Sequence, residues 1–301
     1  MKIALSGIGK IARDQHIPAL EASEDWELAA TISRSGQVEG VEHFTDLGAF
    51  LEARPDIEVI SFCQPPVPRY ALARQALEAG RHVMLEKPPG ATLAEVHDLA
   101  RLAGERGRTL YTTWHSRMAA GVSVAKDWLA TREVTGGRID WIEDVKQWHP
   151  GQDWVFEPGG LGVFDPGINA LSILTEILPR PVFLTEATLE VPENRQTPIA
   201  AQLQFTQGIE ARFDWREAGP PTWNMEIETA EGSVKLIRGG SRVEIAGEAV
   251  ETGPHAEYPA LYERMAELVL HGTQDVDLAP MVLVADAMSL GRRESVAAFE
   301  W

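Results

Sequence analysis

Lys2–Ala12 reads KIALSGIGKIA. The run Lys2–Ser6 is short and apolar enough for a strand. Gly7, Gly9 and Ala12 follow with the spacing G-x-G-x-x-A, and from Lys10 the residues KIARDQHIPALEA take a helical pattern. Alone this spacing is a weak signal, but here it follows a first strand and opens a helix. Gly7 then permits the tight turn, Gly9 keeps side chains away from an approaching pyrophosphate, and Ala12 lets the helix pack on the sheet. The start of the helix adds unpaired N–H groups that attract phosphate. Gly7, Ile8, Gly9, Lys10 and Ile11 are therefore the expected dinucleotide contacts.

The pattern repeats outward from this turn. WELAATIS, IEVISFC, HVMLEK and RTLYTTW read as strands. TDLGAFLEA, with Thr45 as its cap, VPRYALARQALEAG and TLAEVHDLARLAGERG read as helices between them. The last opens with a T-x-x-E capping box, Thr92 and Glu95, and closes at Gly107. Such alternation predicts a parallel sheet covered on both faces. After about Arg117 the register changes. One helix, near Ala119 to Ala130, leads into longer strand-like segments: GRIDWIEDVKQW, PVFLTEATLEVP, AAQLQFTQGIEARFDW and TWNMEIETAEGSVKLIRGGSRVEIAG. Polar and apolar residues alternate in several, as in a sheet with one packed face. Helices after Pro166, near Leu261–Leu270 and near Pro280–Leu290 would cover that face. The expected organisation is an α/β parallel-sheet domain over residues 1–117. An α+β domain with a large, mostly antiparallel open sheet, for substrate binding and oligomerisation, follows over 118–301, and a C-terminal helix packs back on the first domain.

Composition narrows the partners. The 301 residues carry 45 acidic against 27 basic side chains, a formal charge of -18. Phosphate-backbone binding needs a basic surface, so nucleic acid is not expected, nor is an anionic membrane. A small anionic cofactor held by backbone amides and one or two arginines is compatible. The single cysteine, Cys63, excludes an internal disulfide and a cysteine-based metal site. MKIALSGIGK does not read as a leader and no window reaches eighteen apolar residues, so a soluble cytoplasmic protein is expected.

Ligands of open parallel sheets bind beyond the carboxyl ends of the strands. The second strand ends in TISRSG, with Ser33 and Arg34 where a carboxylate would read a bare ribose. A hydroxyl and a guanidinium can hold a 2'-phosphate, so NADP is expected to be accepted, with NAD also usable. The middle strand ends in CQPPVPRY, placing Cys63 and Pro65 beside the nicotinamide. VMLEKPPG ends another strand at Glu86 and Lys87, which are expected to be cofactor contacts. An ammonium there lowers the pKa of a substrate hydroxyl and helps its proton leave. In the second domain Asp165 and Asn169 stand four apart in EPGGLGVFDPGINALSIL, at the start of an apolar helix. They share a face. Either they cap and orient the helix, or they face a polar ligand.

GIGKIA, EKPPG and GGLGVFDPGINALSIL together resemble the superfamily of glucose-fructose oxidoreductase, inositol dehydrogenase and rhizopine-catabolism proteins (Gfo/Idh/MocA), over essentially the full length. GIGKIARDQH, TWHSR and WHPGQDWVFEPGGLGVFDPGINALS are similar to its bacterial L-arabinose and D-galactose 1-dehydrogenase group. The resemblance implies a Rossmann-type domain followed by the α+β domain, and hydride transfer between a monosaccharide and NAD(P) at the anomeric carbon, giving an aldonolactone. It maps the catalytic lysine to Lys87. It turns Asp165 and Asn169 toward the nicotinamide, with Asn169 where the wider superfamily has histidine. An amide does not titrate near neutrality, so the O1 proton passes to Asp165 or to Lys87. A sugar site would draw on His115, Glu143, Trp148, His149 and Trp223, and no metal is expected. A polyol or inositol dehydrogenase, and a non-catalytic nucleotide sensor, are the competing expectations. A homodimer or tetramer would form through the second-domain sheet.

Overall fold

The computed structural model describes residues 1–254 and 256–301. β1 (Lys2–Ser6) passes through the glycine turn into a helix that begins with a π-helical turn, Ala12–His16, and continues as α1 (Ile17–Glu21). Then come β2 (Glu27–Ile32), β3 (Glu42–Phe44), α2 (Leu47–Ala53), β4 (Val59–Phe62), α3 (Pro66–Glu78), β5 (His82–Leu85), α4 (Leu93–Arg106) and β6 (Leu110–Thr112). The six strands form one parallel sheet in the order β3-β2-β1-β4-β5-β6. β4 and β5 are buried at every residue, as a sheet covered on both faces requires. Strand order reverses between β1 and β4, so Gly7 and Cys63 leave the sheet at its switch point, where open α/β sheets bind ligands.

Helix ends follow local chemistry. Thr92 Oγ1 accepts from the Glu95 N–H at 3.3 Å and Glu95 Oε2 accepts from the Thr92 N–H at 3.2 Å, which is the reciprocal capping box. Gly107 closes α4 at φ 60°. The cap of α2 is Asp46 rather than Thr45: its carboxylate accepts from the Ala49 N–H at 2.9 Å, one residue later than the sequence suggests.

The chain continues with α5 (Val122–Leu129), β7 (Val134–Ile142), α6 (Val145–Trp148), α7 (Phe164–Ile177), β8 (Leu184–Pro192), β9 (Ala200–Phe205), β10 (Ile209–Asp214), β11 (Thr222–Thr229), β12 (Gly232–Ile237), β13 (Arg242–Ile245), β14 (Glu248–Val250), α8 (Glu257–His271), α9 (Ala279–Leu290) and β15 (Arg292–Val296). The stretch IEDVKQW does not stay extended: Asp144 caps the Lys146 N–H at 2.8 Å and turns the chain into α6. The second sheet runs β14-β13-β12-β11-β7-β10-β9-β8-β15. It is mixed and largely antiparallel, with β10 parallel to β7 and β15 parallel to β8. α5, α7 and α9 pack against its strands. Charged side chains stand exposed along the middle strands, with Arg138 paired to Asp140 and Glu210.

The residues form two compact units. One is Met1–His115 with Tyr258–Asp277, the other Ser116–Glu257 with Leu278–Trp301. α8 thus packs in the first unit, where the Trp26 indole N–H donates to the Tyr262 carbonyl at 2.9 Å. Among the described residues no helix is long and apolar enough to cross a membrane.

In the second unit the first turn of α7 lies hard against β10. A Cβ on Gly167 would come within 2.6 Å of the Phe213 ring, and Phe164 meets the same ring edge-on at 5.9 Å. Gly167→Ala is expected to cost about 1–3 kcal/mol through overpacking, read as a lower Tm. An unchanged Tm would mean that the Phe213 ring moves aside freely.

Candidate active site

In the first unit the glycine turn has the shape that a dinucleotide needs. Gly7 sits at φ 90°, and a Cβ there would strike Gln64 Cγ at 2.8 Å. A Cβ on Gly9 would meet nothing within 4 Å. The turn is tight at the first glycine and open at the second, which fits a pyrophosphate against the backbone. Ile8 is buried. Lys10 is exposed and paired with Asp14, and Ile11 is partly exposed.

The Ser33 loop folds onto this turn. Ser33 Oγ accepts from the Gly36 N–H at 3.2 Å, and Gly36 packs beneath the Ile8 carbonyl. Arg34 is exposed. Arg13, which the sequence did not single out, donates to the Gln37 carbonyl at 3.2 Å and brings a second guanidinium to the loop. Cys63 is buried, while Pro65 is exposed at the start of α3.

Glu86 is enclosed. It is 3% exposed, and its Oε1 accepts from the Tyr258 hydroxyl at 2.7 Å and faces His16 Nε2 at 3.3 Å. Its Oε2 accepts from the backbone N–H of Lys87 at 2.5 Å. His16, wholly buried, also meets the Tyr262 hydroxyl through Nδ1 at 2.7 Å. His115 is half-buried and stacks on Tyr258, with centroids 5.4 Å apart and planes 19° from parallel. Arg69, 2% exposed, donates to the carbonyls of Gln64, Glu86 and Pro88, fastening the Pro65 loop to the end of β5. Lys87 is half-buried.

Burial alone would raise the Glu86 pKa, but the hydrogen bond and charge of His16, the charge of His115 and the Tyr258 hydroxyl outweigh it and hold it at about 2. Burial pulls His16 down, yet Cys63, Tyr262 and Glu86 raise it well above the ordinary imidazole value. The two shifts run in the directions that favour an imidazolium beside a carboxylate out of water.

In the second unit, Asp165 is 4% exposed in the first turn of α7. The cap position of the helix is Val163, without a side-chain cap bond. Its Oδ2 lies 3.2 Å from His149 Nε2. Gln152 Oε1 stands 3.4 Å from His149 Nδ1 and accepts from the Trp154 indole at 3.1 Å. Glu143, 5% exposed just after β7, accepts from the Trp215 and Trp223 indoles at 3.1 and 2.8 Å. Burial pushes its pKa up against those two donors. Asp165 adds to the rise and His149 opposes it. Trp148 tilts against Trp223 at 5.5 Å and Trp215 lies 5.4 Å from His149. The Trp148 indole N–H is buried with no partner among the described residues. Asn169 is half-buried on α7.

Asp165, His149, Glu143, Trp148 and Trp223 thus form one polar–aromatic cluster. Among the described residues no group of three or more histidines, cysteines or acidic residues is arranged to hold a metal. His16, Arg69, Tyr258 and Gln152 were not foreseen. His16 and Tyr258 meet Glu86 from 70 and 172 residues away, and Gln152, whose partners His149 and Trp154 are local, stands in no motif that marks it.

The Glu86 shift fixes a pH dependence. A carboxylate at about 2 in the fold and 4.5 when unfolded contributes on the order of 3 kcal/mol above the unfolded value, lost as pH falls toward the folded one. The raised His16 contributes fully at low pH and loses its share only as pH rises through its folded value. Urea unfolding of wild type and Glu86→Gln should therefore differ widely near pH 6 and converge between pH about 4.5 and about 2. A constant difference would mean that folding leaves the Glu86 pKa unchanged.

Residues 1–113 match the family of oxidoreductases with an NAD-binding Rossmann fold, Gfo/Idh/MocA. Galactose 1-dehydrogenase of Pseudomonas fluorescens is 42% identical over 303 residues, spanning 99% of this chain and 98% of that protein. Among solved structures, a D-galactose-1-dehydrogenase protein from Rhizobium etli is 51% identical, with a TM-score of 0.95 over 99% of this chain and 97% of its own. KijD10, a 3-ketoreductase from Actinomadura kijaniata solved with NADP and TDP-benzene, shares the fold at 22% identity, with a TM-score of 0.84 over 98% of this chain and 99% of its own. With an open glycine turn at the switch point of its parallel sheet and full-length likeness to such relatives, the chain belongs to the Gfo/Idh/MocA family and is an NAD(P)-binding oxidoreductase.

Proposed function

We propose that the protein oxidises an aldopyranose, L-arabinose, D-galactose or D-fucose, at C1 to the aldonolactone. The observation that carries this reading is the Asp165–His149 pair beside a carboxylate, Glu143, gripped by two indoles. An acid–base pair next to an aromatic wall suits a sugar: hydroxyls need carboxylate and amide partners, and the apolar face of a pyranose packs on an indole. The likeness to two galactose dehydrogenases along the whole chain supports it.

Bound NAD(P)+ supplies the hydride acceptor. Asp165 takes the proton from O1, and His149 holds the carboxylate in orientation and shares the proton's charge. Lys87 lowers the hydroxyl pKa and stabilises negative charge developing on oxygen. In the opposite assignment neutral Lys87 takes the O1 proton itself. Asn169, one turn beyond Asp165, hydrogen-bonds a hydroxyl and orients C1. Glu143, Trp148, Trp223, His149 and His115 are assigned the remaining sugar contacts. A lactol suits modest acid–base machinery, because its ring oxygen stabilises charge at C1. Ser33 and Arg34 are assigned the 2'-phosphate of NADP, with NAD also used, and the exposed face of the second sheet is assigned to a dimer or tetramer.

Initial rates of nicotinamide reduction across aldoses and polyols test the reading, each sugar run with NAD and with NADP. Turnover of L-arabinose or D-galactose and none of myo-inositol is expected, with NADP accepted. No turnover of any aldose would overturn it. Asp165→Asn should lower kcat about 10²–10⁴-fold, the usual worth of a general base, with nucleotide affinity unchanged. A kcat within a few-fold of wild type would move the proton to Lys87.

A further inference from the structure

The peptide that carries Lys87 is held on both sides. Its own N–H is taken by Glu86 Oε2 at 2.5 Å. The carbonyls of Glu86 and Pro88, before and after it, both accept from Arg69. A lysine side chain is long and flexible, so where its ammonium rests depends first on where its backbone is anchored. Here the anchor is a carboxylate that is itself almost completely removed from water.

A buried carboxylate is retained only when its charge is matched and its oxygens are filled. Tyr258 and His16 do both, at 2.7 and 3.3 Å from the same oxygen, Oε1. That leaves Oε2 to the Lys87 N–H. The two partners are fixed in turn. His16 is held at its other nitrogen by Tyr262 and meets the Tyr258 ring edge-on at 4.9 Å. Tyr258 is itself stacked by His115. β5 has its own backbone ladder, which reaches the Glu86 N–H donating to the Phe62 carbonyl at 3.1 Å, so the bonds to the Glu86 carboxylate come in addition to it. A hydrophobic residue at position 86 would bury more cheaply.

We propose that His16 and Tyr258 are positioning residues for Lys87: they lock Glu86, and Glu86 locks the backbone from which the lysine projects. The consequence is a division of labour in the E-K-P stretch. Lys87 meets the reacting molecule, and Glu86 faces inward and never does. It follows that Glu86 is not a cofactor contact, although its place at a strand end suggests one. The proposal rests on the reading that Lys87 acts in hydride transfer, and its test separates the two.

Tyr258→Phe removes one hydroxyl and keeps the ring, so its stacking on His115 is preserved. His16→Gln is the second variant, in case the first is compensated. Four readouts are taken: Tm, nucleotide affinity by tryptophan fluorescence, kcat and KM on the best aldose, and NMR of reductively 13C-methylated lysines. Lys87 is one of six lysines, and its signal is assigned by Lys87→Arg. The expected result is a Tm near wild type and nucleotide affinity within about 2-fold. With these, kcat should fall by about 10-fold or more, as small displacements of a reacting group do, with KM little changed and the Lys87 signal shifted. In a Lys87→Met background, Tyr258→Phe should have no further effect on kcat. An unmoved Lys87 signal, or a loss of kcat that persists in full without Lys87, overturns the proposal. If wild type turns over no sugar while the Lys87 signal still moves in both variants, the positioning stands and the aldose reading fails.

Discussion

The ion pair between Glu86 and His16 is the constraint around which the first unit is organised. A carboxylate at the carboxyl end of a central parallel strand has little access to water, because neighbouring strands and covering helices exclude it. Keeping it ionised requires a cation and hydroxyl donors delivered from elsewhere. The chain brings them from two distant places. His16 ends the π-helical turn that follows the glycines. Tyr258 and Tyr262 come from α8, which enters the unit only after the strands β7 to β14 of the second sheet. The same cluster therefore ties the nucleotide turn, the E-K-P strand end and a late helix together. π-Turns inside helices often occur at functional sites, where the wider turn re-aims one side chain; here that side chain is the imidazole.

This explains which parts of the molecule could be read from its sequence. The parallel sheet was legible because its strands are short continuous apolar runs separated by helices, and both features are local. The capping box of Thr92 and Glu95 was legible because three residues suffice to define it. Gly7 and Gly9 were legible because backbone conformation and empty space belong to the glycines themselves. His16, Arg69 and Tyr258 were not. His16 lies 70 residues from Glu86 and Tyr258 lies 172 from it, so no periodicity connects them. Arg69 reads as an ordinary helix residue until the fold places it over three carbonyls. The strand expected through IEDVKQW failed for a local reason: its alternation of polar and apolar residues was taken as extended chain, but Asp144 offers the backbone a competing cap.

The second unit illustrates the same split. Asp165 and Asn169 were visible as misplaced polar residues in an apolar helix, and their spacing gave their common face. What they meet was not visible. Asp165 stands inside the first turn, two residues past the cap position, and it faces His149. His149 arrives on the loop after α6, where Gly151 takes a left-handed φ of 67° that a side chain would resist. The loop in turn is held by the Arg195 guanidinium and the Trp301 indole, both on Asp153, and by Phe299 packed on Phe156. None of these contacts is local in sequence.

Glu143 and Glu86 make the clearest comparison, because both are buried glutamates at strand ends and their environments drive them apart. Glu86 has a cation on one oxygen and is held deep in the acid range. Glu143 has only neutral indole donors at short range, with His149 helping and the Asp165 charge opposing, so its pKa rises. The difference is one of counter-charge, since burial is similar. An anion that stays ionised across the neutral range is suited to fixing a backbone, because its hydrogen bonds there do not depend on what is bound. A carboxyl group whose ionisation is costly, lined by rings, is suited to meeting hydroxyls, because it gains most from new donors. In the reaction we propose, the first serves as scaffold and the second as a recognition group, and the distinction follows from which partners each carboxylate was given.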